Sequence, residues 1–329
     1  MKKRILALFA ALVMLVCLLA SCADSDVIKS SKEDSKVVGT CGDYEVKYQE
    51  LRYLTMTYKE LMAEKYGEQI FSATSSEYIG DYVKELEETV ARQLTENYAS
   101  LAEFEKNNIK TDDEETKKYV DGIIKENKEL LGGTEAYKEY VKECYMTDEV
   151  VRFNYALEHC FGRYYDLVAQ KYDKEAYDAV MSGEVFIRVR SILIRNDEGE
   201  DFEKNRADAE MVRAEIAAGV PLKDYIGTKY NQDGGNCDYY LMRGYFEEAY
   251  ENAAFALEIG EVSPVVETSE GFYIIQRVEP DEAYFELNMD ACKQTYILSK
   301  MYEKINANME KMQFKFNDYG KTLNLWTMK

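Results

Sequence analysis

The chain changes character at Gly183, and that change limits what it can fold into. From about residue 47 to 180, apolar side chains recur at helical spacing and no proline interrupts them. Beyond Gly183, VFIRVRSILIR at 185–195 alternates β-branched and charged residues with the two-residue period of a strand. All three prolines, Pro221, Pro264 and Pro280, lie beyond this point, at the boundaries of expected elements. With 329 residues there is room for two domains. The pattern predicts an α+β protein whose helices and strands are segregated along the chain.

Within the helical part, Leu51, Leu54, Tyr58, Leu61 and Met62 mark a first helix. A second follows Ser75-Ser76, carries Tyr82, Leu86, Val90, Leu94, Tyr98 and Leu101, and stops at Asn107-Asn108. Thr111 with Glu114 has capping-box spacing and opens a third helix, which carries Tyr119, Ile123 and Ile124 and ends at Gly132-Gly133. Further helices are expected at about 134–145 and 147–171. After the strand, a charged helix at about 201–218 ends at Gly219, and Pro221 starts a short one. Asp233-Gly234-Gly235 reads as a turn and 246–257 as a helix. GEVSPVVETSEGFYIIQRV at 260–278 reads as a closing hairpin that turns at Glu270-Gly271. A last helix at about 282–312 carries Met289, Cys292, Tyr296, Ile297 and Met301, a stripe that needs an apolar partner. A pair of short strands around Tyr319-Gly320 is expected to follow.

The first residues read as a targeting segment. Lys2, Lys3 and Arg4 precede an apolar run from Ile5 to Leu19, shorter than the roughly 20 residues of a bilayer crossing. The run leads into Leu19-Ala20-Ser21-Cys22, which resembles the lipobox of bacterial lipoproteins, with Cys22 as the lipidated residue. Residues 1–21 are then a signal peptide and 22–36, rich in Asp, Ser and Lys, a flexible tether. Such a chain is extracytoplasmic and held to a bacterial membrane by acyl chains. Net charge is −21, and removing residues 1–21 leaves 38 basic against 62 acidic residues, or −24, which argues against nucleic acid as a partner. Cys41, Cys144, Cys160, Cys237 and Cys292 are widely spaced with no CxxC pair, so they read as small buried hydrophobes rather than a metal site or disulfide framework.

Three stretches, RVRSILIR, LKDYIGTKYNQD and RGYFEEAYENAAFALEIGEVSPVVETSEGFYII, together resemble the parvulin-type peptidyl-prolyl isomerase domain over about residues 185–279. The run from Phe255 to Ile275 carries the most specific part of that likeness. With a lipobox and long helical segments on either side, the whole chain resembles the PrsA/SurA-like foldase family. The resemblance implies a helical chaperone domain, made of N-terminal helices at 37–180 plus the C-terminal segment 281–329. A parvulin-like α/β isomerase domain, at 183–280, is inserted between them. It implies unfolded or partly folded secreted proteins as partners and leaves a homodimer open.

Prolyl isomerisation crosses an amide barrier of about 18–20 kcal/mol, and a protein lowers it by seating the ring in an apolar pocket and stabilising the twisted amide. No cofactor and no metal is needed. In the resemblance, the substrate-binding floor falls on Phe246 and Tyr250 and the acidic position near the carbonyl on Asp233. The family's two histidines fall on Ser191 and Tyr273, so the catalytic set carried over is Asp233, Ser191 and Tyr273. Two hydroxyls can keep a smaller hydrogen-bond network if Tyr273 or a water spans the gap that serine leaves. GGNCDYY at 234–240 also departs from the family's loop, which bears on Cys237 and Asp238. Whether isomerase activity survives is left open. His159, the chain's single histidine, lies on an expected helix outside this segment and reads as a helix-face residue with a local partner.

GxSxG, P-loop and GxGxxG motifs are all missing, and acidic pairs such as Glu87-Glu88 and Asp112-Asp113 read as solvated faces or turns. One helical half speaks against a two-lobed solute-binding protein. Two readings stand: a membrane-anchored foldase and chaperone with a parvulin-like domain, or a non-catalytic envelope binding or scaffold lipoprotein that reuses the fold.

Overall fold

The computed structural model describes residues 32–71, 76–196, 201–232 and 238–329. Cys22, the signal segment, Ser75, Asp233, Cys237 and the turn at 233–235 lie outside the described residues. Packing divides the chain into two units. One is Tyr172–Tyr296; the other combines the described part of Leu19–Lys171 with Ile297–Lys329, so the partition falls inside two helices.

In the second unit, β1 (Val37–Cys41) and β2 (Tyr44–Lys47) form a hairpin. Then come α1 (Tyr48–Tyr66), α2 (Ser76–Lys106), α3 (Glu114–Leu130), α4 (Thr134–Glu143) and the start of α5 (Asp148–Met181). The cap of α3 is Asp113, whose carboxylate accepts from Thr116 N–H at 2.9 Å, instead of Thr111 as its spacing suggested. Asp113 also receives Arg163 at 2.7 Å, so this member of an acidic pair is held in a specific contact. Helix α5 runs on to Met181 because the next breaker, Gly183 at φ +65°, comes only there.

The end of α8 (Glu282–Met309) belongs to this unit too. Asn308 donates to the Ala99 carbonyl at 3.1 Å and accepts from Lys106 at 2.7 Å. The expected pair of strands around Tyr319-Gly320 is instead one strand, β7 (Phe314–Phe316), followed by a 3₁₀ turn at Gly320–Thr322. Strand β7 pairs with β1 to complete a three-stranded sheet ordered β2-β1-β7. No second strand forms there because Thr322 N–H and Leu323 N–H donate locally, to the Tyr319 carbonyl at 2.9 Å and the Gly320 carbonyl at 3.0 Å.

The first unit holds a four-stranded antiparallel sheet, β4-β3-β6-β5. Its strands are β3 (Ile187–Arg195), β4 (Asp238–Leu241), β5 (Val266–Glu267) and β6 (Gly271–Val278), with α6 (Phe202–Ala217) and α7 (Glu248–Ala256) between them. Strands β3 and β6 run in continuous register from Arg188↔Val278 to Arg195↔Gly271. Alternation then sorts the side chains. Ile187, Val189, Leu193, Tyr273 and Ile275 pack under α7 with Tyr250, Ala254 and Leu257. Ile192 and Ile274 pack with Val212 of α6 and with Leu222 and Tyr225 of a 3₁₀ turn, while Ile194 and Phe272 meet Ala209.

Cys41, Cys160 and Cys292 are buried and Cys144 is half-buried. His159 stacks on Tyr119 with ring centres 4.3 Å apart. No helix among the described residues is long and apolar enough to cross a membrane. Gly271 closes the β5–β6 turn at φ +143°, and an added Cβ would sit 2.2 Å from the Ile194 carbonyl. We therefore expect Gly271→Ala to lose at least about 1–3 kcal/mol of stability in urea titrations, the usual range for forced overpacking.

Candidate functional site

The α7 face of the sheet brings four of the sequence-derived site residues together. Ser191 sits on β3 opposite Ile275, and Tyr273 on β6 opposite Leu193, so the two lie on adjacent strands and the same face. Helix α7 lays Tyr250 across them. The Tyr250 hydroxyl donates to Ser191 Oγ at 3.0 Å, and its ring meets the edge of Tyr273 at 4.8 Å and 77°. Phe246, just ahead of the helix, stacks on Tyr250 at 4.9 Å and 22°, and Tyr239 meets Phe246 edge-on at 6.2 Å. The partner of Ser191 is thus Tyr250; Tyr273 instead turns its hydroxyl to Glu270 at 2.7 Å.

Burial separates the roles these residues can play. Ser191 has no exposed surface and Tyr250 is 1 % exposed, so Ser191 can position Tyr250 but cannot touch a ligand. Phe246 is half-buried and presents the accessible part of the aromatic stack. The arrangement offers an apolar, aromatic shelf of the kind a small ring packs against. Its described residues include no nucleophile–base pair. Among the described residues, no group of three or more His, Cys, Asp or Glu is placed to hold a metal ion.

Two carboxylates that the sequence reading did not assign to the site hold its edges. Glu251, 4 % exposed, accepts from the backbone N–H groups of Gly244 and Phe246, both at 2.8 Å. It therefore fixes the loop that aims Phe246. The signal available in sequence was an acidic residue in the first turn of a helix, which favours N–H partners but does not say which. Asp238 faces Arg190 across the β3–β4 ladder and takes hydrogen bonds from Arg190 and Arg188, each at 2.8 Å. Arg190's hydrogen bond is the largest reason its carboxyl is held below the ordinary range, with burial opposing. Where β4 ends, Asn231 and Gln232 take over the edge of β3. Asn231 Oδ1 accepts from Leu193 N–H at 3.2 Å, and Gln232 N–H donates to the Leu193 carbonyl at 2.8 Å. Asp233 follows directly in the chain and is outside the described residues.

Two measurements test this geometry. Tyr250→Phe leaves the buried Ser191 hydroxyl without its phenol partner and is expected to cost about 1–3 kcal/mol. Adding Ser191→Ala should recover most of that loss, so a double-mutant cycle by chemical denaturation reads the bond directly. Asp238 has a folded pKa below its unfolded value of about 3.9, so its stabilisation is present above that value and lost as pH falls through the folded one. Stability curves from pH 6 to 2 should therefore fall less steeply in Asp238→Asn than in the wild type.

Comparison with known proteins finds one matching family model and several similar chains. Residues 177–281 match the PPIC-type PPIASE domain. The foldase protein PrsA of Caldanaerobacter subterraneus subsp. tengcongensis is 26% identical over 291 residues, covering 83% of this chain and 82% of that protein. PrsA of Staphylococcus aureus is 25% identical over 174 residues, covering 50% of this chain and 53% of that protein. A crystal structure of the peptidylprolyl isomerase PrsA from Bacillus anthracis shares 18% identity, covering 62% of this chain and 94% of that one, at a TM-score of 0.37. The segment that builds the sheet and its aromatic shelf is a PPIC-type, parvulin-class domain, and the chain that carries it is a homologue of the PrsA foldase proteins.

Proposed function

We propose that this chain is an extracytoplasmic foldase and chaperone for secreted proteins, held to the membrane through lipid on Cys22. Its helical unit and the segment 281–329 serve as the chaperone domain. The inserted segment 183–280 is a parvulin-like domain in which Ser191 and Tyr273 stand where the family has its two histidines. Prolyl isomerase activity is accordingly weak or lost.

The observation that carries this reading is the Tyr250–Ser191 hydrogen bond beneath Phe246. It is a polar tie of two hydroxyls between helix and strand that keeps the shelf in place. A proline ring stacked on Phe246 would be held by apolar contact, and the resemblance assigns the acidic position near the carbonyl to Asp233. The homology to PrsA foldases over most of the chain supports the chaperone part. The tie of Tyr273 to Glu270 favours a second reading, a non-catalytic binding or scaffold lipoprotein, because it directs that hydroxyl to an exposed carboxylate.

Uncatalysed prolyl exchange takes about 10–100 s at 25 °C. Weak activity would broaden the cis and trans resonances of a proline peptide in exchange NMR, and Phe246→Ala would abolish the effect. Absence of broadening at equimolar protein means that the activity is lost, and the choice between foldase and scaffold then rests on the chaperone assay. Suppression of aggregation of an unfolded client at a stoichiometric ratio tests the chaperone part, and no suppression there would remove it.

A further inference from the structure

Residues Leu323–Lys329 carry neither helix nor strand, yet the helical unit holds them firmly. Leu325 is 2 % and Met328 7 % exposed, three positions apart on a turn closed by Met328 N–H to the Leu325 carbonyl at 3.3 Å. Trp326 lies on Phe71 with ring centres 4.7 Å apart. The main-chain oxygens are taken by side chains of α1. Lys59 Nζ donates to Trp326 O at 3.0 Å and Met328 O at 2.8 Å, and Arg52 Nε donates to Lys329 O at 2.9 Å. The same ammonium lies 5.2 Å from the centre of the Phe71 ring.

These are contacts of the kind by which a protein grips a peptide. Cationic side chains on main-chain oxygens read no sequence, and the buried apolar side chains ask only for size and spacing. Lys59 has no carboxylate within ion-pair distance among the described residues, so main-chain oxygens are its hydrogen-bond acceptors there. Burial pulls its pKa down, consistent with a cation kept out of water for this contact.

We propose that Arg52, Lys59 and Phe71 form a peptide-binding site for short segments with two apolar side chains three residues apart, and that Leu323–Lys329 occupies it in cis as a competing pseudo-ligand. An incoming peptide of that chemistry displaces the segment, and the segment sets the threshold that the peptide has to exceed. The inference stands apart from prolyl isomerisation and from any folding client, so its failure leaves the function proposed above untouched.

Trp326 is the only tryptophan of the chain, so its fluorescence reports seating without a label. The probe is a synthetic peptide, LNLFTMK, which copies the segment without tryptophan. Added in excess to the full protein, it should shift Trp326 emission to the red. A fluorescein-labelled copy should bind Leu325→Ala, whose segment is loosened, at least tenfold more tightly than wild type, by anisotropy. Adding Lys59→Ala to Leu325→Ala should reduce that binding at least tenfold, with circular dichroism confirming that the helices persist. An unshifted emission at saturating peptide would overturn the proposal, as would equal binding by wild type and Leu325→Ala or binding indifferent to Lys59. Binding seen only together with dimer formation in light scattering would mark the segment as an exchanged contact between copies, and would overturn it as well.

Discussion

The pairing of β3 with β6 is the constraint on which the sheet-bearing unit depends. Its register assigns each residue of two strands to a face, and a slip of β6 by one position would turn its side chains to the opposite face. Tyr273 would then leave the side that α7 covers, and Ile274 would replace it under Tyr250 while Ser191 stayed in place. The register is protected at both ends. Gly271 allows the chain to turn against the Ile194 carbonyl, and Ser263 exchanges hydrogen bonds with Ile275 from the neighbouring segment, N–H to carbonyl at 2.8 Å and Oγ from N–H at 3.0 Å. The aromatic shelf is therefore a consequence of backbone pairing as much as of its own side chains.

The polar groups of this face are layered. At the bottom, Ser191 and Tyr250 satisfy one another where water does not reach. At the rim, Glu251 and Asp238 hold the loop and strand that frame the shelf through backbone N–H groups and guanidinium groups. Phe246 stands between the layers, stacked on Tyr250, met edge-on by Tyr239 and half-buried. The chemistry this permits is positioning and exclusion of water, since the described groups include no proton-transfer pair. That suits a reaction whose barrier is amide resonance, where no proton need move.

Much of this was legible from the residues. Alternation at the start of β3 and the turn residues of the hairpin at 260–278 foretold two strands. They did not foretell the side each residue takes, because both faces are covered and residues 191–194 and 271–275 are buried without a two-residue rhythm. Helix α2 was legible from the helical spacing of its apolar residues. What the sequence concealed depends on approach in space. Nothing local to Ser191 says that a phenol from α7 reaches it, and Tyr273 was the nearer candidate by strand order. Asp113 displaced Thr111 as the cap of α3 because Arg163, distant in sequence, rewards a carboxylate there. A second strand near Tyr319 gave way to the local hydrogen bonds of a 3₁₀ turn, which no periodicity encodes.

The three-stranded sheet of the helical unit has a temporal side. Its central strand, β1, gains its hairpin partner β2 within a few residues, but its other edge is shut only by β7, after every helix has been made. A chain that emerges N-terminus first can complete the β3–β6 sheet from contiguous residues while Val37–Cys41 still shows an open edge. Such an edge is a template for pairing with any extended strand nearby until its own arrives. During that interval the nascent protein is itself exposed to the strand-pairing errors that foldases exist to prevent, and Phe314–Phe316 is the latch that ends it.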